Sequence, residues 1–441
     1  MQINNIFALL RAEGCHRKPE KSSILQPVDI KVKPINKRPI SSLSKANCFL
    51  KGKNSGAYSS VRFFSSVLEL PSSIFNNQTD VFVGREYLSA LETAAPDGVE
   101  FRYAVVESDG GPDGFFYFQI IPVFEKNTTR LVQPEPWHSL VKAILKISTG
   151  ILNSRKKLYL IIQGNACLSG PWFCNSVVGE TGRGAAHLQE IHAALLSEFQ
   201  NKGGVLATVM KNLTGDHQQL ISFANRHRFL KLPMQPLMQM SIRPEWKSMD
   251  DYVSDLSAKY RKRFLQARTK IASCEIRILS LEDLVRYRDL IERLYSQVKE
   301  KAPVQLFQTD ARYLIALKEK LGDLLTIKSI WLEGHMIAFL TGIRSGSHYE
   351  AHHIGIDYQY NRTHSLYLNI LFCYIELAIE AESALLSFGR TAMEMKTTVG
   401  AVPVYQDTYL KFNLRILNSL IRPFLSSRTE EDWIPRDPFR R

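Results

Sequence analysis

Apolar and polar positions follow one another along this chain with two different spacings, which mark strands and helices. Short apolar runs with a period of two indicate strands, whereas apolar residues three and four apart indicate helices. From about Val67 the two patterns alternate. Strands are predicted at 101–107, 115–123, 158–163, 172–178, 205–210 and 237–242, and helices at 137–148, 185–199 and 216–227. These elements predict a first α/β unit over 67–243.

The second half of the chain has sharper helix boundaries. Ser248 followed by Asp251, and Ser280 followed by Asp283, are capping boxes that open helices predicted to reach about residues 271 and 299. The later predicted elements are a helix at 314–321, strands at 325–332, 336–343 and 348–356, a helix at 366–380, a strand at 384–388 and a helical region ending near 424. Three antiparallel strands before the crossover exclude a doubly wound nucleotide-binding fold. The pattern predicts a second unit over 244–426, an α/β (α+β) class, and a C-terminal tail at 427–441.

Composition limits the class of protein. The 441 residues, 45% of them hydrophobic, fit two or three domains. Six cysteines without a C-x-x-C pair exclude a disulfide framework and argue against structural zinc. No run of about 18 apolar residues occurs, so no membrane span is predicted. Walker, G-x-S-x-G, H-E-x-x-H and kinase motifs are missing from the sequence, which leaves metal-independent chemistry or binding.

Most of the net positive charge belongs to the N-terminal segment. Residues 1–66 hold twelve basic and three acidic residues, a net charge of +9 out of +13 for the whole chain. The segment is rich in Lys, Ser, Asn and Pro, which predicts a disordered basic tail. A solvated tail, a transit peptide and a polybasic contact with an anionic surface are its alternatives, and a cytoplasmic location is the default. The nearly balanced remainder does not require a nucleic-acid-binding body.

Three glycines separate a predicted strand from a predicted helix. They are Gly179, Gly182 and Gly184, with Arg183 between the last two. Backbone N–H groups of such a turn, together with the helix N-terminus, suit a pyrophosphate. A plain flexible connection has the same composition, so both interpretations stay open.

Cations crowd the helix predicted to open at Ser248. Lys259, Arg261 and Arg263 follow one another closely, and Lys259, Arg263 and Lys270 share one side of a helix. Such a density of positive charge suits a phosphate or carboxylate on a substrate. An ordinary solvated face is the equal alternative.

The strand at 348–356 carries ionisable side chains at alternate positions. A period of two places His348, Glu350 and His352 on one face. A Glu or His there suits a general base, and the alternative is a polar face satisfied by its neighbours. Two histidines without a supporting carboxylate make a poor metal pair, so no metal is predicted.

The strongest candidate site follows the strand that ends at Gly389. Arg390, Glu394 and Lys396 come directly after it. Loops at strand ends gather ligand sites in α/β folds. A helix would bring Arg390 and Glu394 together as an ion pair of four-residue spacing, which is the purely structural alternative.

Three of these stretches resemble the tandem-domain GNAT-type acyltransferases, the FemAB-like and cellulose-biosynthesis-type acetyltransferases. LSAKYRKR at 256–263 is similar to their L-S-x-K-x-R helix, 325–380 to the GNAT core, and EMKTTVGA at 394–401 to their F-K-x-x-F-G ending. Lys396 and Gly400 match that ending, whereas Met395 and Val399 replace its aromatic residues. The likeness covers about 67–424. It implies two GNAT-like units, each a mixed, mostly antiparallel sheet flanked by helices.

The resemblance also implies a reaction. An acyl group would pass from acetyl-CoA or another acyl-CoA to an amine or hydroxyl, on an acceptor such as a cell-envelope saccharide or peptide. The family's pyrophosphate loop is Q/R-x-x-G-x-G/A. In the second unit 359–364 keeps the first residue and neither small one, while in the first unit Gly182 and Gly184 fit and Gly179 replaces the Gln or Arg. The donor site therefore stays open between the units.

The roles implied for single residues follow from this chemistry. Glu350 or His352 would accept a proton, a splayed strand would hold the acyl carbonyl, and Tyr405 or Tyr409 would return a proton to the thiolate. Arg390 and Lys396 would position an anionic group of the acceptor or donor, and Glu394 is a further candidate catalytic residue. The residues expected at the donor are Arg183, Ile354, Gly355, Ile356 and Arg362, besides the three glycines. An aminoacyl-tRNA-dependent transferase and an inactive GNAT-like binding module are the two alternatives.

Overall fold

A computed structural model of the chain describes residues 60–76, 78, 80–108, 111–123, 157–170, 183–301, 309–426 and 433–440. All of them belong to one compact unit, Ala46–Arg441. Several predictions fall outside the described residues: the tail up to residue 59, the helix at 137–148, the strand at 172–178, and Gly179 and Gly182.

The described residues form strands and helices close to those that the apolar pattern predicts. The strands are β1 Ser60–Phe64, β2 Glu100–Ser108, β3 Gly111–Val123, β4 Leu158–Gln163, β5 Val205–Leu213, β6 Leu230–Leu232, β7 Leu237–Ser241, β8 Glu275–Ile278, β9 Leu325–Leu332, β10 His335–Ser345, β11 His348–Ile356, β12 Leu385–Ser387, β13 Val402–Val404 and β14 Asp407–Phe412. The α-helices are α1 Arg85–Thr93, α2 Arg183–Lys202, α3 Gln218–Arg226, α4 Met249–Asp255, α5 Ala258–Lys270, α6 Leu281–Arg286, α7 Arg288–Lys301, α8 Ala311–Leu321, α9 Tyr358–His364, α10 Leu366–Glu380, α11 Met393–Thr397 and α12 Arg415–Ser426. The bounds of β4, β9, β11 and α10 are those predicted.

The strands form two sheets of seven. The first has the order β1-β2-β3-β4-β5-β14-β6, and the second β13-β7-β12-β11-β10-β9-β8. Neighbouring strands are antiparallel except for one parallel pair in each sheet, β4 with β5 and β11 with β12. The prediction of mixed, mostly antiparallel sheets flanked by helices is confirmed.

Each sheet takes one strand from the other half of the chain. β7 follows the first-sheet strands in sequence, yet it pairs with β12 and β13 in the second sheet. β14 comes near the C-terminus and pairs with β5 and β6 in the first sheet. The strand predicted at 237–242 as the last of the first α/β unit is present, but it pairs in the second sheet, because alternating apolar residues specify a strand and not its partner. The division at residues 243/244 stays a prediction.

One apolar core lies between the two sheets. It joins α1 side chains such as Tyr87 and Leu88 to α8 side chains such as Tyr313 and Leu317, and it reaches strands of both sheets. The apolar helix α10 covers the opposite face of the second sheet together with α4 and α5. Helices α2 and α3 cover the opposite face of the first. The sheets thus share a buried interface.

Both predicted capping boxes are present, but each predicted helix is divided in two. The Ser248 side chain accepts from the backbone of Asp251, and that of Ser280 from Asp283. The first helix breaks at Leu256, whose backbone is extended and bridges to Phe439. The second breaks at Tyr287. Capping residues mark where a helix starts, and tertiary contacts decide where it stops.

The folded part extends beyond the predicted limits at both ends. Ser60–Phe64, predicted as tail, pairs antiparallel with β2. Near the C-terminus, residues 433–440 pack beside the break between α4 and α5, where the carbonyl of Pro438 accepts from the N–H of Ser257 at 2.9 Å. Within the part that the structure describes, no helix has the length and apolar character needed to cross a membrane.

Candidate functional site

The parallel strands of the second sheet separate to form a wedge. β11 and β12 pair from His348 to Glu350 on one side and from Leu385 to Ser387 on the other. Beyond this point β11 continues along β10, while the chain after β12 continues along β7, where Phe388 N–H donates to the carbonyl of Met238. The wedge therefore has Glu350 and Ser387 at its apex.

The corresponding place in the first sheet is bridged by the protein's own side chains. β4 and β5 pair as far as Gln163 and Met210. Lys211 Nζ then donates to the backbone oxygens of Asn165, Ala166 and Leu168 at 2.8, 3.3 and 3.0 Å. Asn212 Nδ2 donates to the Gly170 oxygen at 2.9 Å.

A cavity of about 1010 Å³ lies beside α9, which follows β11 in the chain, and α11, which follows β12. Its basic lining residues are Lys262, Arg263, Lys270 and Arg362, and no acidic side chain is among the described residues that line it. Tyr358, Tyr367 and Met395 supply apolar surface. The cavity combines a cationic rim with an apolar wall, as an anionic ligand with an apolar arm requires.

The N-terminus of α10 adds to the positive potential of this cavity. Ser365, Tyr367 and Leu368 of its first turn line the cavity. Lys270 Nζ donates to Ser365 Oγ at 3.2 Å, which ties α5 to this turn. Aligned peptide dipoles place partial positive charge at a helix N-terminus, and phosphate groups bind there.

Glu350 and Lys396 are buried together at the apex of the wedge. Glu350 is 2% exposed, and its Oε2 lies 3.2 Å from Nε2 of His348. Lys396 is 3% exposed, and its Nζ donates to the backbone oxygens of Arg390 at 2.6 Å and Gly389 at 3.2 Å. Burial lowers the pKa of Lys396 to about 7, against the opposing effect of Glu350. The pair supplies a carboxylate and an amine that changes charge near neutral pH.

Arg390 reaches towards the first sheet and not towards Glu394. Its guanidinium donates to the Gln235 oxygen, to Asn212 Oδ1 at 2.8 Å and to Gln406 Oε1 at 3.1 Å. Burial lowers the pKa of Arg390 to about 10. Thr391 and Ala392 have left-handed backbones and α11 begins only at Met393, so a four-residue helical spacing does not apply. The predicted alternative of an Arg390–Glu394 ion pair is wrong.

His352 occupies a bulge in β11 at the mouth of the wedge. Leu340 pairs with Ile354 and Gly342 with Ala351, so β11 has one residue more than β10 over this stretch. A bulge turns two successive side chains to the same side. His352 and His353 both contact the ring of Tyr313, each with ring centroids 5.5 Å apart. His352 thus faces the same side of the sheet as the interface core.

The other predicted substrate-binding and catalytic residues do not lie together. Lys259 is exposed, with its Nζ 5.5 Å from the centre of the Tyr260 ring. Arg261 donates to backbone oxygens at the end of α4, including that of Leu256 at 2.9 Å. Glu394 is exposed and accepts from the Ile434 N–H at 3.3 Å. Tyr405 is 56% exposed after β13. Of the basic residues predicted on α5, Arg263 and Lys270 line the cavity.

The residues predicted to bind the acyl donor also lie in separate parts of the fold. Arg362 lines the cavity. Ile354, Gly355 and Ile356 pair with β10 beyond the apex of the wedge. A Cβ on Gly355 would lie 2.1 Å from the Phe339 ring, so packing requires this glycine. Arg183 and Gly184 start α2, and Gly179 and Gly182 lie outside the described residues.

Two residues whose polar contacts join different elements were missed in the sequence: Lys211 in the first sheet, and Tyr313 beside His352 in the second. Lys211 is a lysine within an otherwise apolar strand, a pattern that indicates a buried amine with a specific partner. Tyr313 lies on the buried face of α8 and contacts His352, and nothing in its helical spacing separates it from a core tyrosine. The first could have been found from sequence and the second only from the fold.

No protein-family model matches the sequence, and no curated protein matches it either. Solved structures do match in shape. FemX is 11% identical, with a TM-score of 0.47 over 79% of this chain and 97% of its own. A tandem GNAT protein from the clavulanic acid biosynthesis pathway is 11% identical, with a TM-score of 0.44 over 80% of this chain and 98% of its own. At these levels the likeness assigns no activity to this chain.

A third similar structure is the C-terminal domain of a putative lysylphosphatidylglycerol synthetase from Agrobacterium fabrum. It is 9% identical, with a TM-score of 0.41 over 79% of this chain and 92% of its own. The chemistry of the site has to be argued from the residues of this chain.

Proposed function

We propose that this protein is a GNAT-type acyltransferase that binds acyl-CoA at the second sheet and transfers the acyl group to an amine or a hydroxyl. One observation carries the proposal. The cationic cavity lies at the ends of β11 and β12, and the wedge between these strands has the buried pair Glu350 and Lys396 at its apex.

The cavity suits the nucleotide end of CoA. Arg263, Lys270 and Arg362 would bind its phosphates, assisted by the N-terminus of α10. The volume of about 1010 Å³ is at the upper end of the usual range for small-molecule sites. Since Lys211 and Asn212 bridge the ends of β4 and β5, we place the single donor site in the second sheet.

The wedge suits the thioester end. Residues 354–356 lie beyond the pairing of β11 with β12, so their backbone can approach a bound acyl carbonyl. Glu350 would accept the proton of the attacking acceptor, and Tyr405 would return one to the leaving thiolate. Lys396 would position an anionic group of the acceptor or donor beside Glu350.

Arg390 is suited to anchoring an anionic group of the acceptor. A guanidinium has five N–H donors, and the described partners of Arg390 accept from it at three places. We propose a cell-envelope saccharide or peptide as the acceptor, following the resemblance of the sequence. A cytoplasmic location is part of the same proposal.

Acyl-CoA binding tests the donor site directly. Titration calorimetry with acetyl-CoA should give one site per chain. Arg263→Ala and Arg362→Ala should each weaken binding about tenfold, because each removes a charged hydrogen bond worth about 1.5 kcal/mol. Arg288→Ala is the control, because Arg288 is an exposed arginine on α7 that is not among the described residues lining the cavity. Its affinity for acetyl-CoA should stay within about twofold of the wild type. Equal affinity of all variants, or no binding at all, would overturn the proposal.

Two alternatives are separated by further measurements. The exposed cations Lys259, Lys262 and Lys270 extend the positive surface of the cavity along α5, and this favours aminoacyl-tRNA as the second candidate donor. tRNA binding that falls steeply between about 50 and 200 mM salt would support that reading. Acetyl-CoA binding without transfer to any acceptor would support an inactive binding module.

A further inference from the structure

A line of hydrogen bonds runs from the segment after β4 to His352 through two buried tyrosines. Asn165 Nδ2 donates to Tyr87 Oη at 2.9 Å. The hydroxyl oxygens of Tyr87 and Tyr313 are 2.9 Å apart, and Tyr313 Oη lies 3.0 Å from Nε2 of His352. Both tyrosines are 0% exposed. The line crosses the interface between the sheets, from α1 to α8 and on to β11.

The direction of each hydrogen bond follows from where the protons can go. The Asn165 amide is oriented by its Oδ1, which accepts from the Cys167 N–H at 2.8 Å. Tyr87 Oη therefore accepts from Asn165, and Tyr313 Oη is the described acceptor left for the proton of Tyr87. The opposite direction would bury that O–H without an acceptor, at a cost of about 1–3 kcal/mol. Tyr87 thus donates to Tyr313, and Tyr313 donates to His352.

This direction fixes the tautomer of His352. Nε2 accepts from Tyr313, so the proton of the neutral ring is on Nδ1. Burial, and the adjacent His353 as the smaller cause, hold the pKa of His352 well below its ordinary value, which keeps the ring neutral. Nδ1 makes no hydrogen bond with a described residue, and the side chain is partly exposed. Tyr313 therefore occupies the lone pair of Nε2, and His352 presents its Nδ1–H as a hydrogen-bond donor.

We propose that His352 donates its Nδ1–H to the carbonyl oxygen of the acyl group, and that Tyr313, Tyr87 and Asn165 are positioning residues that fix its tautomer. The inference rests on the proposed acyl transfer. His352 lies two residues after Glu350 and on the same face of β11, at the mouth of the wedge. Glu350 is then the proton acceptor.

The step balances with these roles. The acceptor nitrogen or oxygen forms a bond to the carbonyl carbon and gives its proton to the Glu350 carboxylate. The carbonyl becomes an oxyanion that accepts the hydrogen bond from Nδ1–H. The C–S bond then breaks, the carbonyl re-forms, and the CoA thiolate takes up one proton from Tyr405. Glu350 releases the acceptor's proton to solvent, and Tyr405 regains a proton from solvent. The products are the acylated acceptor and the CoA thiol.

The tautomer can be measured on the wild-type protein without any reaction. Long-range ¹H–¹⁵N correlation spectra of histidine-labelled protein distinguish Nδ1–H from Nε2–H rings, and His352→Gln assigns the signal. We expect Nδ1–H for His352. Tyr313→Phe removes the donor to Nε2 and should abolish this preference. Tyr295→Phe is the matched control, because the Tyr295 ring contacts His353 with centroids 4.8 Å apart and should leave His352 unchanged.

Kinetics test the role of the donor. His352→Ala should lower kcat about 10²–10³-fold, the usual effect of removing one oxyanion donor, with the Kd of acetyl-CoA unchanged within about twofold. Tyr313→Phe should also lower kcat while the Kd of acetyl-CoA stays unchanged. Tyr295→Phe should change neither kcat nor this Kd. A wild-type protein that transfers no acyl group would overturn the proposed function. A wild-type Nε2–H ring, or an active enzyme with normal kcat in His352→Ala, would overturn this inference alone.

Discussion

A lysine buried at the apex of the wedge makes stability depend on pH. Burial lowers the pKa of Lys396 to about 7 in the folded protein, whereas a lysine in the unfolded chain titrates near pH 10.4. Between these values the unfolded chain binds more protons, so the free energy of unfolding rises with pH. One group contributes at most about 1.4 kcal/mol per pH unit. Lys396→Met should remove this contribution.

Urea unfolding at about pH 7, 8 and 9 measures this effect. The wild type should gain stability over Lys396→Met as the pH rises. Lys320→Met, at an exposed position on α8, controls for the loss of one charge. Parallel pH curves for the wild type and Lys396→Met would show that the amine is protonated throughout.

Glu350 is the residue on which the proposed proton transfer depends. Glu350→Gln keeps the shape of the side chain and its contact with His348, but removes the basic oxygen. Its kcat should fall about 10²–10⁴-fold, the usual contribution of a positioned base. Steady-state kinetics with acetyl-CoA and an active acceptor measure this. Glu394→Gln is the control, because it changes an exposed carboxylate on α11, and its kcat should stay near that of the wild type. Equal losses of kcat in the two variants would contradict the assignment of Glu350 as the base.

At this scale the sequence predicts residue types better than partners. Its period of two placed His348 and Glu350 on one face, and the two side chains are in contact. It placed Arg390 beside Glu394, and the structure separates them because two left-handed residues precede α11. His352 and Tyr313 are 39 residues apart in the chain. Contacts across elements follow from tertiary packing, which local spacing does not encode.

The C-terminal segment at 433–440 holds the elements beside the cavity in place. Phe439 packs on Trp246 and Tyr252, with ring centroids 5.7 and 6.2 Å away. A Cβ on Gly400 would lie 2.6 Å from the Phe439 ring, so the turn after α11 leaves space for that ring. The Arg436 N–H donates to Thr397 Oγ1 of α11 at 3.1 Å. The segment therefore supports α11, which carries Lys396.

Phe439→Ala should destabilise the protein by about 2 kcal/mol, less than for a fully buried phenylalanine because the side chain is half-buried. Denaturant unfolding measures the loss. Ile434→Ala, at a side chain that is 61% exposed in the same segment, should stay within about 0.5 kcal/mol of wild type. A loss in Ile434→Ala equal to that in Phe439→Ala would mean that the backbone pairing, and not the ring, holds the segment.

Elements are predicted well where local signals suffice. The turn residues between β9, β10 and β11 lie between runs of apolar residues, and the observed strands match the predicted ones closely. The break between α4 and α5 was not predicted, because it depends on the bridge of Leu256 to Phe439, 183 residues later by number. A helix boundary that depends on a distant segment leaves no trace in the local pattern.

The exchange of β7 and β14 makes the two sheets depend on each other. Leu410 of β14 pairs with Val209 of β5 on one side and Leu230 of β6 on the other. Its N–H therefore points to a neighbouring strand, and Leu410→Pro should leave one acceptor in the first sheet unpaired, at a cost of about 1–3 kcal/mol. Backbone amides of β5 and β6, which come much earlier in the chain than β14, should then lose their protection against hydrogen exchange. Leu410→Ala, which keeps the N–H, should retain it; unchanged protection in Leu410→Pro would contradict the exchange of strands.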